Sequence, residues 1–489
     1  MRKEYYSKKG IDLLQLQEWF KGSSDILQKK KFFKSGKSNY ELEIVYCPNL
    51  VDTKFINQVI LPRIMEVVLK EGKINIDLLS NLMEISKLED DKNIKNQVEQ
   101  KLFSGELVII NYDSNDLYFI PISNIPKRSP EESNIETSVR GPRDGFVETI
   151  SDNMALIRQR LKTSSFKSIE YTIGERSKTK ILLLYMDDIL NPAILDRVQK
   201  RLESLKVDIL SSSNQLEELL YDQPFSILPL MDYIGRPDHV VDSLNQGRFA
   251  ILVDGNPSCL IGPTNINQLS FSPEDAHGSF YFITFVRLLR IMALITTTFL
   301  PGFFIALITY QLDQVPYTLL ATISVSRLGL PLSASLEAVI MLTLFELFKE
   351  AGVRLPKAVG QTVAVLGGLI IGDAAIRAGL TSPSMLVIIS ITIISGYTLI
   401  NQNLSGNIAI LRYSVLFLSA TLGLFGFFIS FFIIVTYAAS LESFGVPYVS
   451  VYTLPNPSDM IKTFLKLPYK LLKKRSLAYQ PMDKDRQKE

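Results

Sequence analysis

The sequence is poor in the residues that most often bind metals or act as nucleophiles. Its 489 residues include two cysteines, Cys47 and Cys259, and two histidines, His239 and His277. Two cysteines cannot build a disulfide framework or a four-cysteine metal site, and two histidines do not support a histidine-rich centre. The glycine-rich phosphate-binding motifs and the nucleophile motif of hydrolases are also absent. We therefore expect no metal or thiol chemistry, no cofactor and no enzymatic activity.

Charge is nearly balanced overall but unevenly distributed. The 52 basic and 50 acidic residues give a net charge of +2, which argues against a nucleic-acid-binding protein. Between Tyr281 and Ser440, 13 of 160 residues are charged, whereas 89 charged residues lie in the other 329. Ionisable side chains are costly in hydrocarbon, so this contrast predicts a polar region followed by a membrane domain.

Long uncharged runs predict the membrane spans. Ile291–Tyr310 has 20 uncharged residues, enough to cross a hydrocarbon core about 30 Å thick, and Ser414–Ser440 is also uncharged. The stretch 315–357 is ambiguous, because it is interrupted by charges, glycine and proline. It allows six spans, or four spans with a re-entrant or interfacial helix. The four clear spans are predicted at about 288–311, 359–376, 384–401 and 411–438.

The charges at the two ends of the chain predict the topology. Met1–Gly10 is charged and lacks the apolar core of a signal peptide, so the N-terminal region is expected to stay in the cytoplasm. Basic residues between Lys462 and Arg475 follow the last predicted span, and the positive-inside rule places them in the cytoplasm as well. Two ends on one side require an even number of spans.

The predicted fold is an α/β cytoplasmic N-terminal region of two mixed α/β subdomains, followed by an all-α polytopic transmembrane domain of 4–6 helices. In the second subdomain we expect a helix over Phe146–Leu161, a strand over Val207–Leu210, and a helix that begins at Asn191-Pro192. The predicted boundaries are 1–124 for the first subdomain, 125–145 for a linker, 146–280 for the second subdomain, 281–440 for the transmembrane domain and 441–489 for a basic cytoplasmic tail.

Two features stand out near residue 370. Asp373 and Arg377 are four residues apart on a predicted helix, where they form either an internal ion pair or a pore-facing or gating pair. Gly368 and Gly372, preceded by Gly367, have the spacing that allows close helix contact. We expect these glycines to pack within the bundle or between subunits.

A second set of charges lies on the helix predicted after Ser333. Glu337 and Glu346 are nine residues apart and therefore on opposite faces, whereas Glu346 and Glu350 share a face. Glu337 lies near the helix start, where an acidic group complements the dipole. In a symmetric oligomer either set would form an acidic ring that favours cations. Gly352 and Pro356 are predicted to end this helix.

Three arginines are predicted to anchor helices at the membrane interface. Arg287 and Arg290 precede the first span, and Arg412 stands between the last two predicted spans. Long basic side chains at such positions extend towards the headgroups. We therefore expect Arg412 to snorkel rather than to be enclosed.

Five short motifs occur in order along the chain. They are Val139-Arg140-Gly141-Pro142, Ala155-Leu-Ile-Arg158-Gln-Arg160, Arg236-Pro237-Asp238, Glu350-Ala-Gly-Val-Arg354-Leu-Pro356, and Gly360-Gln361-Thr362 followed by Gly367-Gly368. Together they resemble the A subunit of the GerA-type spore germinant receptors of endospore-forming bacteria, from about Tyr40 to Pro455. Gly145–Glu148 and Ile173–Lys178 are also similar to the SpoVAF-type paralogue, which would instead form an accessory ion channel that amplifies germination.

The resemblance implies a receptor subunit in the spore inner membrane, with the N-terminal domain facing the spore core. It implies two partners: a transporter-like B subunit that binds the nutrient germinant and a lipoprotein C subunit on the outer side. The A subunit would oligomerise, as a pentamer, into a channel that releases monovalent cations when the germinant binds. No nucleic acid and no cofactor are implied.

Two other functions remain open. A secondary transporter should contain an inverted repeat with broken helices in matched halves, and here one broken segment, Gly329–Pro331, is visible without a clear repeat. A membrane-tethered sensor or scaffold would signal through its soluble domain. A truncation lacking 281–489 that still triggered germination would support that second alternative.

Overall fold

The structure, a computed structural model, describes residues 19–35, 38–71, 84–88, 94–111, 116–124, 141–354, 372–450 and 457–486. The chain forms two compact units, one of Met1–Tyr221, Tyr233–Pro263 and Leu472–Glu489, the other of Asp222–Asp232 and Thr264–Leu471. The first unit contains both five-stranded sheets with their helices, and the second is mainly helical. This confirms a mixed α/β region followed by a helical one. The predicted domain boundaries stay predictions.

The first sheet has the strand order β1-β2-β4-β5-β3. Successive side chains of a strand point to opposite faces of the sheet, so Val45, Val108 and Phe119 lie in one apolar cluster and Ile44 and Ile120 in another. One cluster includes residues of helix α3 and the other includes residues of α2. The elements are β1 (Leu27–Ser35), β2 (Ser38–Tyr46), α1 (Thr53–Phe55), α2 (Leu61–Glu71), β3 (Ser86–Lys87), α3 (Ile94–Leu102), β4 (Glu106–Asn111) and β5 (Asp116–Pro121).

The second sheet has the order β6-β7-β9-β10-β8. Its pairs β6–β7, β7–β9 and β9–β10 are antiparallel. Helices α4 and α7 pack on it through Met154, Ile157, Val240 and Leu244. The elements are α4 (Ile150–Arg158), β6 (Phe166–Ile173), β7 (Thr179–Met186), α5 (Pro192–Ser204), α6 (Ser213–Leu220), β8 (Asp232–Ile234), α7 (Pro237–Asn245), β9 (Phe249–Val253) and β10 (Cys259–Gly262).

Local hydrogen bonds explain two differences from the predicted elements. The helix predicted from Phe146 begins at Ile150, because the Asn153 side chain bonds both the N–H and the carbonyl of Val147, at 2.7 and 2.6 Å. The strand predicted over Val207–Leu210 is wrong. Carbonyls of Val207 and Asp208 accept instead from N–H groups of the turn after β6. The predicted helix start at Asn191 is confirmed, since its side chain accepts from Ala193 N at 2.9 Å.

The predicted basic tail is divided between the two units. Residues 472–486 belong to the α/β unit, where Arg475 is buried rather than solvated. Its guanidinium donates to the carbonyl of Asn245 at 2.8 Å and contacts Asp483 at 2.7 Å. Arg486 pairs with Asp242 on α7 at 2.8 Å. Part of the tail therefore extends the α/β unit as a fixed segment.

The first α-helix of the helical unit is α8, which carries no charge after Arg290. Two helical stretches, Phe280–Tyr310 and Asn403–Ser440, are long and apolar enough to cross a membrane by length and composition, and the second is divided at Gly423. The predicted span 384–401 overlaps α11, and most of 359–376 lies outside the described residues. The helices are α8 (Phe280–Tyr310), α9 (Tyr317–Ser326), α10 (Ala334–Arg354) and α11 (Pro383–Tyr397).

Helix α10 passes through Gly352 and has Arg354 as its last residue, between the two residues predicted to end it. A glycine inside a helix costs about 1 kcal/mol relative to alanine, which packing readily offsets. The segment over 372–377 is also helical and precedes α11. These helices meet in one apolar core that includes Ile305, Ala338, Met341, Ile389 and Leu416.

The helical segment Gln402–Ser440 is two helices that meet at Gly423, here α12 (402–422) and α13 (424–440). Gly423 has φ 63° and ψ −143°, outside the helical region. A straight helix of 39 residues would separate its ends by about 58 Å. Yet Asn401, just before α12, donates to Asp232, and the carbonyl of Ser440, at the end of α13, accepts from Gln223. Gln223 and Asp232 are only nine residues apart in the chain, so the two ends of the segment lie near each other.

Contacts with α8 establish that the chain reverses at Gly423. Tyr310, at the end of α8, donates to the carbonyls of Ala420 and Thr421 at 3.0 and 3.1 Å. Phe431, further along α13, instead packs on Phe299, with ring centroids 5.4 Å apart. Helix α12 therefore runs parallel to α8 and α13 runs back beside it. The span predicted over 411–438 therefore contains a reversal at Gly423 that the sequence did not indicate.

Candidate functional site

A fully buried carboxylate joins three helices of the helical unit. Glu337 lies in the first turn of α10 and has no exposed surface. Its Oε2 accepts from Arg327 Nη1 at 2.8 Å, just after α9. Its Oε1 accepts from Thr381 Oγ1 at 2.9 Å and from both the N–H and the hydroxyl of Ser382, at 2.6 and 2.8 Å. We call Arg327, Glu337, Thr381 and Ser382 the Glu337 cluster.

The Glu337 cluster fastens the starts of two helices together. Ser382 is also the N-cap of α11, and its hydroxyl accepts from Met385 N at 3.2 Å. A buried charge is tolerated when it is paired and its remaining lone pairs are satisfied, as they are here. Glu337 lies near the α10 N-terminus, as predicted. A pore role for it stays a prediction, since protein surrounds the carboxylate on every side.

A second ionic cluster links α8, α10 and α12. Arg412 Nη2 donates to Glu346 Oε1, and Nη1 donates to Thr297 Oγ1 at 3.4 Å. Lys349 Nζ lies 4.0 Å from Glu346 and 3.3 Å from the Ser405 hydroxyl. We call Thr297, Glu346, Lys349 and Arg412 the Arg412 cluster. It connects helices whose side chains are otherwise mostly apolar.

Arg412 does not snorkel, which corrects the prediction. The residue is 3% exposed, because Glu346 offers its guanidinium a carboxylate between the helices. Within the described part of the chain, Arg412 Nε and the hydroxyl of Ser419, two turns further along α12, are buried without a hydrogen-bond partner. The Arg412 guanidinium is therefore incompletely satisfied, whereas both carboxylate oxygens of Glu337 accept hydrogen bonds.

The other charges predicted to line a pore or gate it, Glu350, Asp373 and Arg377, are exposed. Glu350 lies one turn beyond Glu346 on α10 and is exposed, whereas Glu346 is partly buried against Arg412. Asp373 and Arg377 form the predicted internal ion pair, with Oδ2 and Nε 2.8 Å apart and side chains 58% and 80% exposed. A pore or gating role for these three residues stays a prediction.

Gly372 is buried where the 372–377 helix approaches α11. A Cβ at this position would lie 3.3 Å from Leu386 Cδ2, so glycine permits the close approach. Arg354 is the last residue of α10. Five predicted residues lie outside the described residues, namely Arg140, Pro356, Gln361, Gly367 and Gly368.

A third cluster, not predicted as a unit, surrounds Asp275 at the start of α8. Asp275 is buried, and its Oδ2 lies 3.2 Å from Arg287 Nε and 2.9 Å from Arg290 Nη1. Lys466 donates to the carbonyls of Ala276 and Gly278 at 3.1 and 2.9 Å. Burial lowers the pKa of Lys466, and the nearby Arg287 charge lowers it further. Asp275 opposes both effects.

The Asp275 cluster gives Arg287 and Arg290 a defined partner. Both arginines lie on the first turns of α8, where the sequence predicted simple interfacial anchors. The pairing with Asp275 depends on a residue that precedes the helix, and sequence spacing alone does not reveal it. The cluster fastens the start of α8 to α14 (Pro457–Phe464) and the residues after it, since Arg287 also donates to the carbonyl of Lys462 at 3.2 Å.

In the α/β unit, Arg158 of α4 connects the segment before β1 with β6 of the second sheet. It is 1% exposed and pairs with Asp25 at 2.6 Å, while its guanidinium lies over the rings of Phe103 and Phe166, 4.5 and 4.3 Å from their centroids. Asp25 also accepts from Ser168 at 2.8 Å. Burial, followed by the Asp25 charge, raises the pKa of the neighbouring Cys47 thiol.

The remaining motif residues hold local structure. Arg160 pairs with Asp144 at 2.6 Å, after the motif residues Gly141 and Pro142. Arg236 is buried and contacts both carboxylate oxygens of Asp238, at 3.1 and 2.7 Å, on either side of Pro237 in the first turn of α7. Among the residues that the structure describes, no group of three or more His, Cys, Asp or Glu side chains could hold a metal ion.

Comparison with known proteins gives consistent matches along the chain. A family model described as Bacillus/Clostridium GerA spore germination protein matches residues 14–478. The chain is 42% identical over 474 residues to spore germination protein XA of Bacillus anthracis, covering 97% of this chain and 96% of that protein. It is 32% identical over 456 residues to spore germination protein B1 of Bacillus subtilis (strain 168), covering 93% and 94%.

One solved structure is also similar. It is the crystal structure of the N-terminal domain of the A subunit of the Bacillus megaterium spore germinant receptor GerK3. The sequence identity is 26% and the TM-score is 0.38. The match covers 51% of this chain and 92% of that chain.

Proposed function

Because the chain belongs to the GerA family of spore germination proteins, we propose that it is the A subunit of a nutrient germinant receptor. In this proposal the chain resides in the spore inner membrane and oligomerises, as a pentamer, into a germinant-gated channel for monovalent cations. A transporter-like B subunit binds the germinant, and a lipoprotein C subunit completes the receptor. The observation that carries the channel activity is the Arg412 cluster, since ionisable residues between apolar helices mark ion pathways and their gates.

The proposed topology has six spans. Helices α10 and α12 are antiparallel, because Lys349 contacts Ser405 whereas Thr343 contacts Tyr413, nearer the other end of each helix. Helices α8, α10, α11, α12 and α13 supply five crossings, and the span predicted over 359–376 supplies the sixth. An even number keeps both ends of the chain on the spore-core side, in agreement with the basic residues after the last helix.

The Arg412 cluster is proposed as the element that holds the closed state. Its ion pair joins α10 to α12, so the two helices cannot separate without breaking a partly buried charge pair. A ligand opens such a channel only by favouring a state in which this pair is rearranged. Weakening the pair should therefore lower the free energy that germinant binding must supply.

We expect Glu346→Gln to shift cation release towards lower germinant concentrations. Loss of the carboxylate weakens the contact with Arg412, and 1.4 kcal/mol of closed-state stability corresponds to about a tenfold change in the opening equilibrium. The measurement is potassium release from spores across a germinant series. A Glu346→Arg and Arg412→Glu double variant should restore part of the native response, because it re-forms the pair with reversed charges.

The matched control is Asp313→Asn, which removes one exposed acidic charge from the connection after α8 and should leave the response unchanged. An unchanged germinant response in Glu346→Gln would rule out the gating assignment. The accessory-channel alternative predicts a different pattern on deletion of the gene. Responses to all germinants would then slow, whereas loss of a receptor subunit abolishes the response to its own germinants.

A further inference from the structure

A single turn of the helical unit presents the most exposed large apolar side chain among the described residues. Phe225 is 95% exposed and follows Pro224 in a turn closed by the Ser226 N–H and the Gln223 carbonyl, 3.0 Å apart. Turn apices are normally occupied by small or polar residues. A phenylalanine in this place departs from that preference and exposes a large apolar surface.

The Phe225 turn is fastened beside the end of α13. The Ile227 N–H donates to the Tyr437 hydroxyl at 2.7 Å, and that hydroxyl donates to Ser226 Oγ at 3.4 Å. Gln223 donates to the carbonyl of Ser440, the last residue of the helix, at 3.3 Å. The turn therefore lies at the level where an apolar helix ends.

The segment behind the turn is fixed, so the exposure of Phe225 is a property of the folded chain. Leu228, Leu230 and Met231 are buried. The Leu230 carbonyl accepts from Ser443 Oγ at 2.7 Å, and the carboxylate of Asp222, at the other side of the turn, accepts from Phe444 N at 2.6 Å. Hydrogen bonds at both ends hold the turn in one position relative to α13.

Aromatic side chains are exposed at the same end of the unit. Tyr281, Phe282 and Phe285 open α8 and are 77%, 62% and 59% exposed. Since α13 runs back beside α8, its end and the α8 start lie on one side of the bundle. Aromatic residues collect at the two membrane–water interfaces, where a ring is partly in hydrocarbon and partly among headgroups.

We propose that Phe225 inserts into the headgroup region of the bilayer and anchors segment 222–232 to the membrane surface. The inference rests on the membrane embedding that the proposed function includes. The occupant is lipid, because the turn is hydrogen-bonded to the end of an apolar helix. The anchor keeps segment 222–232 at a constant depth in the membrane interface.

The experiment uses tryptophan fluorescence in vesicles that contain the full chain. Trp19 is the sole tryptophan, so a Trp19→Phe background makes each introduced tryptophan the reporter. Phe225→Trp is compared with Phe432→Trp on α13 and Phe32→Trp on β1, which replace side chains 64% and 68% exposed. Phosphatidylcholines brominated near the headgroup or near the bilayer centre quench nearby tryptophans.

We expect the Phe225→Trp reporter to lose most of its emission with shallow bromines and less with deep ones. Phe432→Trp should be quenched by bromolipids, and Phe32→Trp should keep its emission. If Phe225→Trp behaves like Phe32→Trp while Phe432→Trp is quenched, the anchor is disproved and the membrane embedding stands. If neither is quenched, the embedding itself is wrong. If the Trp19→Phe background fails to fold, Phe225→Cys with a fluorescent label replaces it, because Cys47 and Cys259 are buried.

Discussion

Glu337→Ala is expected to cost the helical unit about 3–5 kcal/mol, the usual penalty for removing one partner of a buried ion pair. The substitution leaves the Arg327 guanidinium without its carboxylate and removes the acceptor of three further donors from Thr381 and Ser382. A loss of this size is a large part of the stability of a folded domain. The measurement is thermal unfolding of the purified full chain in detergent.

Asp373→Ala is the matched control, because it removes an ionised carboxylate from an ion pair of similar length in the same unit. Both partners there are exposed, so we expect a loss of about 1 kcal/mol or less. A Glu337→Gln variant separates charge from shape, since its amide oxygen can still accept from Ser382. Equal stability of Glu337→Ala and Asp373→Ala would contradict the structural role of the Glu337 cluster.

Arg158→Ala is expected to loosen the contact between the two sheets of the α/β unit, again at a cost of about 3–5 kcal/mol. The variant leaves buried Asp25 without a cation and removes the planar group that lies between Phe103 and Phe166. Trp19 packs against the cluster that contains Phe103 and therefore reports on this contact. The measurement is denaturant unfolding followed by Trp19 fluorescence.

Arg160→Ala provides the comparison two residues later in the chain. Its ion pair with Asp144 is about one-third exposed on each side, so we expect a loss of about 1 kcal/mol or less. A double-mutant cycle with Asp25→Ala isolates the pair itself. If Arg158→Ala unfolds at the same denaturant concentration as Arg160→Ala, the ion pair with Asp25 does not hold the two sheets of the α/β unit together.

The sequence predicts a strand or helix correctly where the deciding residues are adjacent in the chain. Strands β4 and β5 are short, continuous apolar runs, and Asn191-Pro192 carries its own helix-start signal, so both were predictable. Strand β1 was missed because its run of lysines hides the alternation. In each successful case the residues that decide the structure are neighbours in the chain.

The errors in the helical unit have a different origin. Arg412 is buried because Glu346, 66 residues away, supplies its counter-charge. The reversal at Gly423 lies inside an uncharged run, so hydropathy gives no sign of it. It depends on Tyr310 and Gln311 of another helix, which bond the backbone groups that the break releases. Long-range partners of this kind leave no local pattern.

The Gly423 reversal also imposes an order on assembly. At the break, the Leu424 N–H needs the Gln311 side chain, and the Ala420 and Thr421 carbonyls need the Tyr310 hydroxyl. Unsatisfied backbone groups are costly in hydrocarbon, so α12 and α13 cannot settle as a hairpin before the end of α8 is present. Because α8 is synthesised about one hundred residues earlier, Tyr310 and Gln311 are already present when the α12–α13 hairpin is made.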